Sequence, residues 1–129
     1  MAGNENILVV DDDMVVRRSL ARVLEQEGHR VDEAASGADA VQMLDSKRYA
    51  LVILDLRMPR LGGLTVLQHV RNQQPQIAVL VMTSYPSLEN AKESIQLGAF
   101  DFLPKPLDAE QIRKVVAGVL RNATPNGTR

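Results

Sequence analysis

Asp55 closes an almost wholly apolar run, Ala50-Leu51-Val52-Ile53-Leu54, and is followed by Leu56-Arg57-Met58-Pro59. A buried strand that ends in one carboxylate and then meets a proline delivers that acid to the rim of a sheet. Three other apolar runs end in polar groups. Ile7-Leu8-Val9-Val10 gives way to Asp11-Asp12-Asp13, Ile77-Ala78-Val79-Leu80-Val81-Met82 to Thr83-Ser84, and Phe100-Asp101-Phe102-Leu103 to Pro104-Lys105-Pro106. Carboxylates, a hydroxyl and an ammonium at four strand ends suit a magnesium ion, which takes oxygen ligands, and a phosphoryl group, which takes cations and hydrogen-bond donors.

The elements that must position these groups follow from the hydrophobic pattern. Short apolar runs alternate with longer amphipathic stretches, which predicts an α/β fold: a doubly wound parallel sheet built from five βα units. Strands are expected at 6–10, 30–34, 50–54, 77–82 and 100–103. The second, with Val31 and Glu33 alternating, belongs at an edge, and the third, the most apolar, at the centre. The first helix covers 14–26, with Val16, Leu20, Val23 and Leu24 on one face and Gly28 as its stop. Ser36 opens the second, with Val41 and Leu44 inward, and the third follows Gly62-Gly63 with Leu64, Leu67 and Val70 inward. Ser87 caps a fourth helix running to Gly98, whose apolar stripe of Leu88, Ala91 and Ile95 is the thinnest of the set; a thin stripe implies loose docking and an element that moves. Asp108 caps the fifth, where Ile112, Val115, Val116, Val119 and Leu120 make a full apolar face. Ligands of a doubly wound sheet bind outside the carboxyl ends of its strands, so the four polar ends are expected to converge.

The chain has 129 residues, enough for one domain with a proper core, assigned here to 1–122 with a polar tail or linker start at 123–129. A net charge of −1 gives no bulk attraction to nucleic acid or to an anionic membrane surface. There is no cysteine, which excludes disulfides and thiolate metal sites and fits a reducing, cytoplasmic setting. The first residues lack the basic and apolar regions of a signal peptide, and no apolar stretch approaches the ~18 residues that span a bilayer. His29 and His69 stand apart, without evident partners, and are read as surface or helix-end residues.

Four motifs in order carry a resemblance. Ile7 to Asp13, Leu54-Asp55-Leu56-Arg57-Met58-Pro59 with Gly63, Val81-Met82-Thr83-Ser84, and Gly98 to Pro106 together resemble the response-regulator receiver domains of two-component signalling, over about residues 6 to 121. The resemblance implies the five-stranded flavodoxin-like, three-layer sandwich with strand order 2-1-3-4-5. It implies that Asp55 is the phosphoacceptor, taking a phosphoryl group from a sensor histidine kinase or phosphotransfer protein. By the same analogy Mg2+ is the cofactor, held by Asp12, Asp55 and the backbone carbonyl of Arg57, with Asp11 assisting directly or through water. Lys105 would pair with Asp55 and then with the phosphoryl oxygens, and Thr83 would donate its hydroxyl to one of them. Phe102 stands at the family's aromatic switch position, and the Lys105-Pro106 bond at one the family keeps cis. Arg57 and Tyr85, two residues beyond Asp55 and Thr83, fall at variable positions flanking the phosphoryl group, where their bulk would hinder an attacking water.

The implied function is a switch whose face of fourth helix, fifth strand and last helix engages a transcriptional output domain or partner, with homodimerisation on phosphorylation as a family possibility. It is not an enzyme that turns over a free metabolite. Each residue alone has a plainer explanation. Asp11 to Asp13 resemble first-turn acids of a helix, a role kept here for Asp13, while Asp55 alone is a turn residue and Lys105 alone a solvated lysine. A phosphatase with an Asp-x-Asp nucleophile is the rival, since Asp11-Asp12-Asp13 has that spacing; it would place the chemistry on Asp11 and leave Asp55 idle.

Overall fold

The computed structural model describes residues 5–58, 60–105 and 107–122. In chain order the elements are β1 (Asn6–Val10), α1 (Met14–Gln26), β2 (Arg30–Ala34), α2 (Gly37–Ser46), β3 (Leu51–Asp55), α3 (Gly63–Gln73), β4 (Ala78–Thr83), α4 (Leu88–Gln96), β5 (Asp101–Pro104) and α5 (Ala109–Asn122). All neighbouring strands are parallel, and the sheet runs β2-β1-β3-β4-β5. This is the expected fold and strand order, with β2 at one edge and β3 at the centre. Three strands end one residue later than the hydrophobic pattern predicts. Asp55 and Thr83 are therefore the last residues of β3 and β4, because Asp55 pairs in register with Met82 and Thr83 with Pro104.

Successive strand residues face opposite ways, so the apolar runs fill two cores at once. Leu8, Val10, Val52, Leu54, Val79 and Val81 pack under α2 and α3. Ile7, Val9, Leu51, Ile53, Leu80 and Met82 pack under α1 and α5, which supply Leu20, Leu24, Ile112, Val116 and Val119. Side-chain caps start the helices where the sequence places them. Asp13 accepts from the amides of Val15 and Val16, Ser36 from that of Asp39, Ser87 from that of Asn90 and Asp108 from that of Gln111.

Two sequence expectations are corrected. Two of the three residues in the expected stripe of α4 face outward, Leu88 at 78% and Ile95 at 49% exposure, while Ala91 is half-buried and the buried residue of the helix is Ser94. The inner side, with Ala91 and Ser94 followed by Leu97 packed on the core, is built of small residues that let the helix lie close to the sheet. The histidines do have partners. His69 Nε2 lies 2.9 Å from Asp45 Oδ1, joining α3 to α2, and His29 Nδ1 is 3.4 Å from the Glu5 amide. The Lys105-Pro106 bond and the 123–129 tail involve positions outside the described residues. Among the described residues no helix is long and apolar enough to cross a membrane.

One glycine sets how closely α3 approaches the end of β3. A Cβ on Gly63 would lie 2.5 Å from the Asp55 carbonyl oxygen and 2.7 Å from Leu56 Cα, contacts that backbone atoms cannot yield cheaply. Gly63→Ala is expected to cost about 1–3 kcal/mol, read as a lowered urea midpoint at unchanged slope; an unchanged midpoint would mean that α3 gives way freely.

Candidate functional site

The three consecutive acids after β1 have three different environments. Asp11 continues the pairing with β2, its amide donating to the Ala34 carbonyl at 3.1 Å, and turns its side chain inward, leaving it 1% exposed. Its Oδ1 accepts from the Asp13 amide at 2.9 Å and its Oδ2 from Lys105 Nζ at 2.8 Å. Asp13 is occupied as the α1 cap. Asp12, between them, is exposed, and no hydrogen bond from the described residues fixes its carboxylate.

Asp55 reaches the same rim from β3 and is 4% exposed. Its Oδ1 lies 3.4 Å from Lys105 Nζ and 3.4 Å from the Arg57 amide, while no hydrogen bond from the described residues falls on Oδ2. One carboxylate oxygen each from Asp11, Asp12 and Asp55 lies within 4.8 Å of the others. Around an octahedral magnesium ion, oxygens stand at most ~4.2 Å apart, so the three carboxylates lie close to the spacing that such an ion requires. A donor set made only of carboxylates fits a hard divalent cation.

Lys105 reaches this cluster from beyond β5, passing the end of β4. Its amide donates to the Thr83 carbonyl at 2.8 Å, and its ammonium lies nearer to Asp11 than to Asp55. The more deeply buried carboxylate draws the closer contact. Thr83 is fully buried, and its Oγ1 accepts from the Tyr85 amide at 3.1 Å. A hydroxyl that accepts one bond still has a proton to donate. Arg57 and Tyr85, from the β3–α3 and β4–α4 loops, meet over the rim, with the Arg57 guanidinium 4.9 Å from the centre of the Tyr85 ring. Phe102 is half-buried against the α2–α3 core, in register with Val81.

A family model for the response regulator receiver domain matches residues 7–117. The chain belongs to that family. The receiver is 39% identical over 120 residues to the response regulator MprA of Mycolicibacterium vanbaalenii, a match covering 93% of this chain and 52% of that protein. It thus spans about half the length of the curated relatives it matches. A CheY-like receiver domain protein from Methanospirillum hungatei superposes with a TM-score of 0.92 at 27% identity, covering 95% of this chain and 98% of the other. NtrX from Brucella abortus, solved with ADP, gives 0.89 at 30% identity, covering 96% of this chain and 29% of NtrX.

Sequence inspection missed one pair at the receiver's rim. Arg17 on α1 donates to the Asp11 carbonyl and pairs with Glu33 on β2. Sixteen residues separate the two, and neither stands in a recognisable motif, so no local signal marks them.

The electrostatics of the receiver's rim are those of crowded acids. Burial, and then the neighbouring Asp11 carboxylate, push Asp55 up to about 6, against the pull of Lys105 and the Arg57 amide. Burial alone would lower the Lys105 ammonium, but Asp11 and Asp55 override it and hold it raised. Since Asp55 binds its proton more tightly folded than unfolded, its contribution to stability is fully present below the ordinary carboxylate range and is lost as pH rises through about 6. In metal-free receiver, Asp55→Asn is therefore expected to stabilise the fold at pH 7.5 by about 1–3 kcal/mol, with the gain vanishing near pH ~4. Urea unfolding in chelator at both pH values checks this; no gain at pH 7.5 would mean that Lys105 fully offsets the cost of burying the charge.

Proposed function

We propose that this receiver accepts a phosphoryl group on Asp55 from the phosphohistidine of a sensor histidine kinase or phosphotransfer protein, using Mg2+, and thereby switches the surface it offers to an output. The observation that carries the reading is the convergence at one sheet rim of acids from β1 and β3 and an ammonium from beyond β5. The rival that puts the nucleophile on Asp11 is disfavoured, because both Asp11 oxygens are already engaged, by Lys105 and by the Asp13 amide.

In the step itself an Asp55 oxygen forms the new bond to phosphorus while the phosphorus–nitrogen bond of the donor breaks, its electron pair staying on the imidazole. Oδ2, without a hydrogen bond from the described residues, is the oxygen best placed to attack. A carboxylate is a poor nucleophile, so the rate must come from positioning and charge neutralisation. Asp12, Asp55 and the Arg57 carbonyl would hold the ion, with Asp11 directly or through water. Bound Mg2+ would neutralise charge on the phosphoryl oxygens and the carboxylates. Lys105, already between Asp11 and Asp55, needs only a small shift to reach phosphoryl oxygens, and the Thr83 hydroxyl proton is available to donate to another.

The acyl phosphate biases a two-state equilibrium in which Thr83 and Phe102 change position and the α4–β5–α5 face is reorganised. That face then engages an output domain or partner that acts on transcription in the cytoplasm, while this domain has no charge excess of its own for nucleic acid. Dimerisation on phosphorylation belongs to the same proposal by analogy with the NtrC4 receiver, whose beryllofluoride-activated form is a dimer. The receiver is a substrate and partner in phosphoryl transfer rather than an enzyme with free turnover.

Incubation with acetyl phosphate and Mg2+ is expected to add one phosphoryl mass, labile to hydroxylamine and absent in Asp55→Asn. Gain retained in the variant would move the chemistry to Asp11 or Asp12. The Arg57 and Tyr85 side chains, packed on one another, would hinder a water attacking the acyl phosphate, so the Arg57→Ala, Tyr85→Ala double variant should lose its phosphoryl group severalfold faster; equal decay rates would remove both from any role in hydrolysis.

A further inference from the structure

The acids at the rim stand on a backbone corner that is held from behind. The Asp11 amide is fixed by the Ala34 carbonyl, and the Asp11 carbonyl accepts from Arg17 Nη1 at 2.9 Å. The same guanidinium donates through Nε to Glu33 Oε1 at 3.0 Å, and the Arg17 side chain is only 13% exposed. Arg18 also lies near Glu33, at 3.6 Å from Oε2, but it is 64% exposed and makes no hydrogen bond to the corner among the described residues.

Asp12 differs from Asp11 and Asp55 in having no hydrogen bond from the described residues to aim its carboxylate. Its direction is therefore set by the peptide that joins it to Asp11, and the carbonyl of that peptide is the atom Arg17 holds. We infer that Arg17, anchored by Glu33, is a positioning residue that directs Asp12 toward a divalent cation, an inference that rests on the metal-site reading above. A planar guanidinium makes the two bonds from one rigid group, which an ammonium cannot do. Hydrogen-bonded partners behind metal ligands commonly change affinity by about 10–100-fold when removed.

Charge alone predicts the opposite sign. A cation beside a cation site repels the ion, so deleting Arg17 should tighten binding if the guanidinium acts only through its charge. If it acts by holding the peptide, deletion should weaken binding.

Calorimetric or amide-NMR titration of MgCl2 into metal-free protein distinguishes the two, with urea unfolding of each variant alongside. Arg17→Met and Arg17→Lys are expected to raise the Mg2+ Kd about tenfold, Glu33→Gln to raise it less, and Arg18→Met to leave it unchanged. Should Arg17→Met fail to fold, Arg17→Lys and Glu33→Gln carry the comparison. A lowered urea midpoint with unchanged or tighter Mg2+ binding would make Arg17 a merely structural or electrostatic neighbour and overturn the inference while leaving the metal site intact. Absence of Mg2+ binding by the wild-type protein would overturn the metal-site reading itself and this inference with it.

Discussion

One ammonium between two buried carboxylates is the constraint on which the rest of the structure turns. Asp11 and Asp55 end neighbouring strands and are almost wholly out of water, so each has lost hydration and each repels the other. Without a counter-charge such a pair cannot stay ionised at a sheet rim. Lys105, 94 residues from Asp11, supplies it. To do so the chain must finish β5, cross the end of β4 and turn back over the rim, and the bond from the Lys105 amide to the Thr83 carbonyl fixes that turn. Strand order, the short fifth strand and the place of Thr83 directly under the lysine's backbone all serve the reach of one side chain. Removing the lysine would leave uncompensated buried charge, which costs far more than the ion pairs are worth as attractions.

The packing divides the molecule into a rigid part and a looser one. β1, β3 and β4 are covered on both faces, and α1, α2, α3 and α5 each lock into that sheet through large aliphatic side chains. α4 does not. Its buried residue is a serine whose Oγ has no hydrogen-bond partner among the described residues, while Leu88 and Ile95 are exposed. A helix held by small side chains and one unsatisfied hydroxyl gains little from its present position, and elements of that kind are the ones drawn into local opening or displacement. It follows the loop that begins at Thr83, so a change at the buried threonine is applied where the docking is weakest.

Much of this was legible in the sequence because it is written in local patterns. Apolar runs bounded by polar residues located four of the five strands and the alternation of Val31 and Glu33 the other, while the caps at Asp13, Ser36, Ser87 and Asp108 located helix starts, since a cap is a bond between residues two or three apart. Convergence of the four polar strand ends followed from the rule for doubly wound sheets. What could not be read locally is what depends on tertiary choice. Leu88, Ala91 and Ile95 form a helical stripe, but periodicity cannot say which edge of a weakly amphipathic helix meets the sheet, and the side with Ala91 and Ser94 turned inward while Leu88 and Ile95 stayed exposed. The nearer partner of Lys105, the Arg17–Glu33 brace, the His69–Asp45 pair and the Arg57–Tyr85 stack all join distant segments, and nothing in either partner's neighbourhood announces the other.

Charge balance at the rim gives the site its direction of response. Three carboxylates against one ammonium leave an excess of negative charge, and burial, with the Asp11 carboxylate adding to it, raises Asp55 to about 6. On the function proposed above, a dication would offset that excess beside the oxygen that attacks phosphorus. On that proposal, turning the Asp55 carboxylate into an acyl phosphate would replace one negative charge by about two, so negative charge would return at the rim. Lys105 and the Thr83 hydroxyl are the groups able to follow it. Moving either disturbs a contact that now stabilises the resting arrangement, the lysine's bond to Asp11 or the threonine's bond to the Tyr85 amide. Those two contacts tie the acids at the rim to the backbone leading into α4.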